Sequence, residues 1–240
     1  MKSLWLFCLL SLSLSVSAQT LRLGFGTHKP PYVFEGEERG LEYDIVVAAA
    51  QRAGFAAEVH YAPMERLHLM LRRGEIDAIA TTNEYSGIGA FYSAVYIQYQ
   101  NVAVALSSRQ LEINSIGDLA PYSISAFQRA RYLLGKEFQQ MAENNPRYRE
   151  EAYQIARNRL LYSGRVDVVV GDMRILRYFN REVYTQVDVS QPLAIYPIFA
   201  ATGYKLGCNH QRHCEAFSEG LAIIRENGEY KAIERRYAMH

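Results

Sequence analysis

Two stretches about ninety residues apart follow one plan of apolar and polar positions. Arg73-Gly74-Glu75-Ile76-Asp77-Ala78-Ile79-Ala80-Thr81-Thr82 and Ser163-Gly164-Arg165-Val166-Asp167-Val168-Val169-Val170-Gly171-Asp172 each pass from a helix ended by Gly, through a charge, a β-branched residue and Asp, into an apolar run that stops at polar residues. Runs this short, and apolar at nearly every position, read as strands buried on both faces, as in parallel sheets covered by helices. Two copies predict two similar α/β lobes. Ligands of open α/β sheets gather beyond the carboxyl ends of the strands, which makes Thr81, Thr82 and Asp172 the first candidates for a site.

The rest of the chain supports that plan. Leu21 to Phe25 alternates as a first strand and leads into the loop Thr27-His28-Lys29-Pro30-Pro31-Tyr32, stiffened by its prolines. Helices are expected over Glu42 to Ala53, stopped by Gly54, and over Met64 to Arg73, opened by Pro63, with a strand near Ala57 to Tyr61 between them. Asn83 to Ser93 is too rich in Gly and small polar residues for a regular element. A strand over Asn101 to Leu106 runs into Ser107-Ser108, where the first crossing between lobes is placed.

The second lobe is expected to hold a strand at Tyr122 to Ser125, a helix from Phe127-Gln128-Arg129 to about Gln140, another over Tyr148 to Tyr162, and a third over Met173 to Asn180. A strand over Ile198 to Tyr204 and helices over Glu215 to Glu226 and Tyr230 to Tyr237 then return to the first lobe. The divisions are 1–18 as a leader, 19–107 and 196–240 as the first lobe, and 108–195 as the second. Two crossings make a hinge around a cleft.

Met1-Lys2-Ser3, an apolar core containing Trp5 and Cys8, and the small residues Ser15 to Ala18 read as a secretory signal peptide cut near Ala18. The core is shorter and more interrupted than a membrane span requires, so a soluble, periplasmic product is expected. Loss of Lys2 leaves 25 basic and 25 acidic residues, a balance that argues against nucleic acid or an acidic membrane surface as partner. Cys208 and Cys214 then form an even pair in an exported chain and read as a disulfide clipping a small loop. The rival is a zinc set with His210 and His213, which would be cramped in so short a stretch; no metal or cofactor is expected.

In this order and spacing, Leu21-Arg22-Leu23-Gly24 with Pro31-Tyr32, Gly40-Leu41-Glu42-Tyr43-Asp44-Ile45, Gly74 to Ile79, Phe91-Tyr92-Ser93 with Tyr96, Ile116-Gly117-Asp118-Leu119, Gly164 to Asp172, and Glu226-Asn227-Gly228-Glu229-Tyr230 with Tyr237 resemble the extracellular solute-binding proteins of family 3. The resemblance spans nearly all of the expected mature chain. It implies the two-lobed α/β fold of type II periplasmic binding proteins, each lobe a mixed, mostly parallel sheet flanked by helices, acting as a monomer that traps a small solute for an ABC transporter permease. An amino acid or a related amine or carboxylate is the implied ligand. Asp172 would hold its ammonium, with Thr81, Thr82 and Asn83 bonding from the other lobe; the ligand role is favoured over the alternative that Asp172 only caps the helix starting at Met173, and one carboxylate can do both.

Three positions depart from the family pattern. The Arg expected after the Thr cluster is replaced by Tyr85 or Ser86, the Gly-Thr of the second lobe by Phe127-Gln128-Arg129, and the aromatic before the prolines by Lys29. Arg129 is the candidate to take over anion binding, with Lys29 across the cleft; the alternative for both is a solvated surface charge. Glu84 could favour a cationic ligand, and Tyr32, Tyr85, Tyr92 and Phe127 are candidate walls. Two other functions compete: a sensor acting through a separate membrane receptor, and a periplasmic dehydratase, for which His28, His60 and Glu84 are the available acids and bases. No nucleophile–base pair supports an enzyme, so a binding protein is the expectation.

Overall fold

The computed structural model describes residues 18–238. The expected leader, apart from Ala18, lies outside the described residues. In chain order the first lobe contributes β1 (Gln19–Phe25), α1 (Leu41–Arg52), β2 (Phe55–Tyr61), α2 (Met64–Arg72), β3 (Ala78–Thr82), β4 (Phe91–Tyr92) and β5 (Ile97–Tyr99). The second lobe is built from β6 (Asn101–Leu106), β7 (Ile124–Phe127), α3 (Ala130–Leu133), α4 (Lys136–Asn144), β8 (Tyr148–Glu151), α5 (Gln154–Tyr162), β9 (Val168–Asp172), α6 (Met173–Val183) and β10 (Leu193–Tyr196). The chain then returns with β11 (Thr202–Cys208), α7 (Gln211–Glu226) and α8 (Glu229–Arg236).

The repeat seen in the sequence is a repeat of topology. One sheet runs β2-β1-β3-β11-β4, with β5 also on β11, and the other runs β8-β7-β9-β6-β10. In each, three strands are parallel and the fourth is antiparallel to the strand that ends the repeat. Those two strands are buried on both faces, as their composition requires. Val168 and Val170 face one hydrophobic cluster of the second lobe and Val169 the other, while Ala78 and Ala80 are divided from Ile79 in the same way.

The conserved geometry of the repeat explains its residues. Gly74 and Gly164 end their helices with φ of 70° and 69°, the left-handed region that glycine enters without a Cβ penalty. Asp77 accepts the backbone N–H of Arg22 at 2.9 Å and holds the Arg22 guanidinium in a bidentate pair at 2.7 and 3.0 Å. Asp167 likewise accepts the N–H of Ser123 at 2.8 Å and its hydroxyl at 2.7 Å, with Arg109 as its cationic partner. Each carboxylate therefore staples the start of its strand to the neighbouring parallel strand.

Four expected boundaries shift. Asn101–Val104 pairs antiparallel with Val169–Asp172, so this strand belongs to the second sheet and the first crossing is at Gln100, not at Ser107-Ser108. The strand placed at Ile198 to Tyr204 lies at Thr202–Cys208, which leaves 197–201 as the second crossing. The helix expected over Tyr148 to Tyr162 begins instead with the edge strand β8, paired parallel to β7, where Glu150 accepts the N–H groups of Arg129 and Arg131 at 2.8 and 3.1 Å. The helix expected to reach Gln140 is broken into α3 and α4 at Gly135, whose φ is 94°.

Cys208 and Cys214 form a disulfide from the end of β11 to the first turn of α7, so both sulfurs are spent. Helix α7 packs on α1 so closely that a Cβ at Gly220 would stand 2.1 Å from the carbonyl oxygen of Ala49. Gly220→Ala is accordingly expected to lower stability by about 3 kcal/mol through overpacking, read from the midpoint of a urea unfolding curve.

Candidate functional site

A cavity lies between the lobes at the carboxyl ends of the repeated strands. From the first lobe it is lined by Gly26, Thr27, Lys29, Met64 and Thr81, and from the second by Phe127, Gln128, Gln154, Arg157 and Asp172, while Tyr99 and Asn101 close it at the first crossing. The two sheets thus meet where α/β sheets present ligands.

Its floor in the first lobe is a buried ion pair. The ammonium of Lys29 lies 2.5 Å from Glu42 Oε2, 2.5 Å from Thr81 Oγ1 and 3.3 Å from the hydroxyl of Tyr99, which uses all three of its N–H donors. Glu42, 0% exposed, accepts in addition from the hydroxyls of Thr81 at 2.6 Å, Tyr99 at 2.7 Å and Tyr96. Burial alone would raise the Glu42 carboxyl, but the Lys29 charge and the hydroxyl donors outweigh it and hold the group below its ordinary value. Burial also pulls the Lys29 ammonium down, against the attraction of Glu42. Thr81, a β-branched residue at φ 58°, is kept in that unfavourable conformation because its N–H donates to the Tyr96 hydroxyl at 2.7 Å while its own hydroxyl bridges Lys29 and Glu42.

Asp172 faces the cavity from the second lobe and performs the capping role. Its Oδ1 accepts the N–H groups of Arg174 at 2.9 Å and Ile175 at 3.4 Å, the first turn of α6. Its Oδ2 accepts the Tyr32 hydroxyl at 3.1 Å and the N–H of Gln100 at 3.2 Å, so one carboxylate ties the helix, the other lobe and the first crossing together. Burial raises its pKa, and these donors oppose the shift.

The lobes are closed on each other. Thr27 Oγ1 donates to the Ala152 carbonyl at 2.9 Å, and the N–H of Glu65 to Gln128 Oε1 at 3.3 Å. The His28 and Phe179 rings meet edge to face at 5.9 Å. Arg129 is the strongest clasp: its guanidinium pairs with Glu65 at 3.0 Å and donates to the carbonyl of Ser86.

Of the residues expected at the site, Thr81, Phe127, Gln128 and Asp172 line the cavity. Tyr32 lies behind it, stacked on Tyr99 with ring centroids 3.8 Å apart. Thr82 is fully buried with its hydroxyl unpartnered, Asn83 caps a short 3-10 turn by accepting the N–H of Tyr85, and Glu84 pairs with Lys205. Arg129 is spent on the other lobe and Lys29 on Glu42, so neither presents a free cation to a solute. Tyr85 and Tyr92 do not line the cavity, nor do His28, His60 and Glu84. Among the residues that sequence reasoning passed over, the two charged ones are Glu42, under the cavity floor, and Arg157, in its lining. Both are set inward by helical position, Glu42 at the start of α1 and Arg157 four residues before the buried Leu161 of α5, a spacing that could have marked Arg157 as core-facing.

The sequence profile of the bacterial extracellular solute-binding proteins, family 3, matches residues 21–240. Among curated protein sequences none matches. Similar solved structures include an ancestral arginine-binding protein bound to arginine, at TM-score 0.73 and 20% identity over 91% of this chain and 97% of that one. A histidine kinase sensor domain with similarity to periplasmic binding proteins aligns at TM-score 0.70 and 22% identity, covering 91% and 95%. The ancestral amino acid-binding protein AncCDT-1, a precursor of cyclohexadienyl dehydratase, aligns at TM-score 0.68 and 18% identity, covering 91% and 94%. At these identities the structures share the fold with this chain.

Lys29→Met leaves the Glu42 carboxylate buried without its cation and is expected to cost about 3–5 kcal/mol in denaturant unfolding. Because Glu42 titrates in the fold below its ordinary 4.5, its contribution is full at neutral pH and lost as pH falls through the folded value; without Lys29 that value rises and acid unfolding begins at higher pH. His68, buried in α2, is pushed down to about 4, first by burial and then by Arg129. It stays neutral in the fold while the unfolded chain takes up a proton, so stability falls as pH drops from 6.5 towards 4, and His68→Leu should flatten the curve in that window.

Proposed function

The chain belongs to the bacterial extracellular solute-binding proteins, family 3, and from that premise we propose that it captures a small polar solute by closure of its two lobes in the periplasm and hands it to a membrane partner. The observation that carries this reading is the cavity itself. Its walls come from both sheets, and its polar groups Thr81, Gln128 and Asp172 stand at strand ends that only closure brings together. Gln100 and the segment 197–201 are the two connections about which the lobes can turn.

The solute is an amino acid or a related amine or carboxylate, since the cavity combines a cationic group, hydroxyl and amide groups and the apolar walls Phe127, Leu133 and Ile175. The membrane partner is an ABC transporter permease; genes for a permease and an ATPase beside the coding gene would support that route, and their replacement by a receptor kinase would support sensing. The similarity to a sensor domain keeps that second route open.

A thermal-shift screen over amino acids, small carboxylates, polyamines and short peptides tests the binding reading, because a compound that binds only the folded chain raises its apparent stability. At least one compound is expected to raise Tm in proportion to the logarithm of its concentration. A screen without any shift would overturn the assignment. For a compound that binds, Arg129→Ala removes a clasp of the closed state and is expected to weaken affinity about 3- to 30-fold while leaving the bound stoichiometry unchanged, measured by titration calorimetry.

A further inference from the structure

Among the described residues, Arg157 is the large cation lining the cavity that has no carboxylate in direct contact. It is 1% exposed, and its guanidinium makes two bonds, to the Val170 carbonyl at 2.7 Å and to the amide oxygen of Gln154. Among the described residues its Nε has no partner, and no carboxylate oxygen lies within 4.0 Å. Of five N–H donors, three remain unspent. Burial depresses the group to about 10, against the more distant charges of Asp172 and Glu151, which pull it up.

The chain makes room for this arrangement. A Cβ at Gly171 would stand 2.5 Å from Nη1 of Arg157, so the guanidinium lies flat against β9 only because that position has no side chain. Phe127 flanks it, with the guanidinium 5.9 Å from the ring centroid. A buried guanidinium without a carboxylate in contact is costly to desolvate, and an anion that bonds to it directly offsets that cost.

The carboxylates at this cavity are already occupied. Both oxygens of Asp172 carry two donors each, and a carboxylate has about four lone-pair sites. Glu42 is filled by Lys29 and three hydroxyls, and Gln128 spends its amide oxygen on Glu65. A ligand ammonium would find no free carboxylate, whereas a ligand carboxylate would find a guanidinium with donors to spare.

We propose that Arg157 anchors an anionic group of the solute and that the ligand class is a small carboxylate whose binding does not require an ammonium: a hydroxy, oxo or dicarboxylic acid. This rests on the reading of the cleft as a solute site. The carboxylate would take the unspent donors of the guanidinium from the cavity that Phe127 and Asp172 line on this side and Thr81 and Met64 on the other.

The test is calorimetry and thermal shift on the full mature chain with matched pairs that differ in the ammonium: glycolate and glycine, pyruvate and alanine, 2-oxoglutarate and glutamate. Putrescine, agmatine and inorganic phosphate complete the set. At least one acid without an ammonium is expected to bind within about tenfold of its amino partner or more tightly, and Arg157→Met to weaken it about 30-fold or more, with Arg157→Lys in between. Circular dichroism and unfolding curves check that the variants fold; should Arg157→Met not fold, the matched pairs and Arg157→Lys decide. The proposal is overturned if amino acids bind and their matched acids do not, if putrescine, agmatine or phosphate binds in place of every carboxylate, or if a bound carboxylate keeps its affinity in Arg157→Met. Failure of all these probes while a neutral compound of the wider screen binds sinks the carboxylate assignment alone. Failure of every compound in both sets sinks the solute site with it.

Discussion

The Lys29–Glu42 pair is the constraint on which the first lobe's side of the cleft depends. It joins the proline loop after β1 to the first turn of α1, and through hydroxyls it reaches β3 at Thr81, the approach to β5 at Tyr96, and β5 itself at Tyr99. A pair so deeply buried contributes little net stability, because desolvation of two ions offsets most of their attraction. Its effect is on geometry. Every acceptor of Glu42 and every donor of Lys29 is satisfied in one arrangement, and that arrangement holds Thr81 at positive φ with its side chain turned into its own lobe. A position that the sequence offered as a ligand donor is thereby a structural one on its first-lobe side.

The second lobe repeats the scaffold without repeating the chemistry. Each lobe has three parallel strands and an antiparallel fourth that follows a crossing, β6 after the first and β11 after the second. A turn about the crossings would move whole sheets and part the cluster in which Leu133, Ile175 and Phe179 of the second lobe pack with first-lobe residues. Asp172 sits where this motion is read: it caps α6, receives the N–H of Gln100 in the crossing, and accepts Tyr32 from the opposite lobe. The other interlobe contacts combine single hydrogen bonds and partly exposed ion pairs, each worth on the order of 1 kcal/mol, with the ring contacts His28–Phe179 and Phe34–Tyr178 and the packing of Leu133 and Ile175.

The distribution of charge in the cavity differs from what a reading by position suggests. Three charged residues invite assignment to a ligand: Asp172, Lys29 and Arg129. The first spends its lone pairs on the protein, the second is neutralised by a helix residue, and the third clasps Glu65 and the Ser86 carbonyl across the mouth. Arg157, four residues from Leu161 on the inward side of α5, keeps donors unspent. Spacing along a chain identifies which residues can reach a cleft, whereas the supply of partners within reach decides which of them still has capacity for a solute.

The sequence by itself determined the scaffold. Period and composition were enough for the two buried strands, their preceding helices with glycine ends, the two-lobed α/β plan and the cysteine clip, because each of these is set by local propensity and by which faces must be buried. It did not determine that Asn101–Leu106 crosses into the second sheet, or that Tyr148–Glu151 is a strand. Those depend on pairing partners far away in the chain, and an edge strand rich in Glu and Arg carries no local mark of itself. Tertiary structure alone decided the electrostatics of the cleft. Whether a carboxylate or a guanidinium is available depends on groups brought within hydrogen-bond range from distant segments, Lys29 with Glu42 and Asp172 with Tyr32, and no periodicity records those meetings.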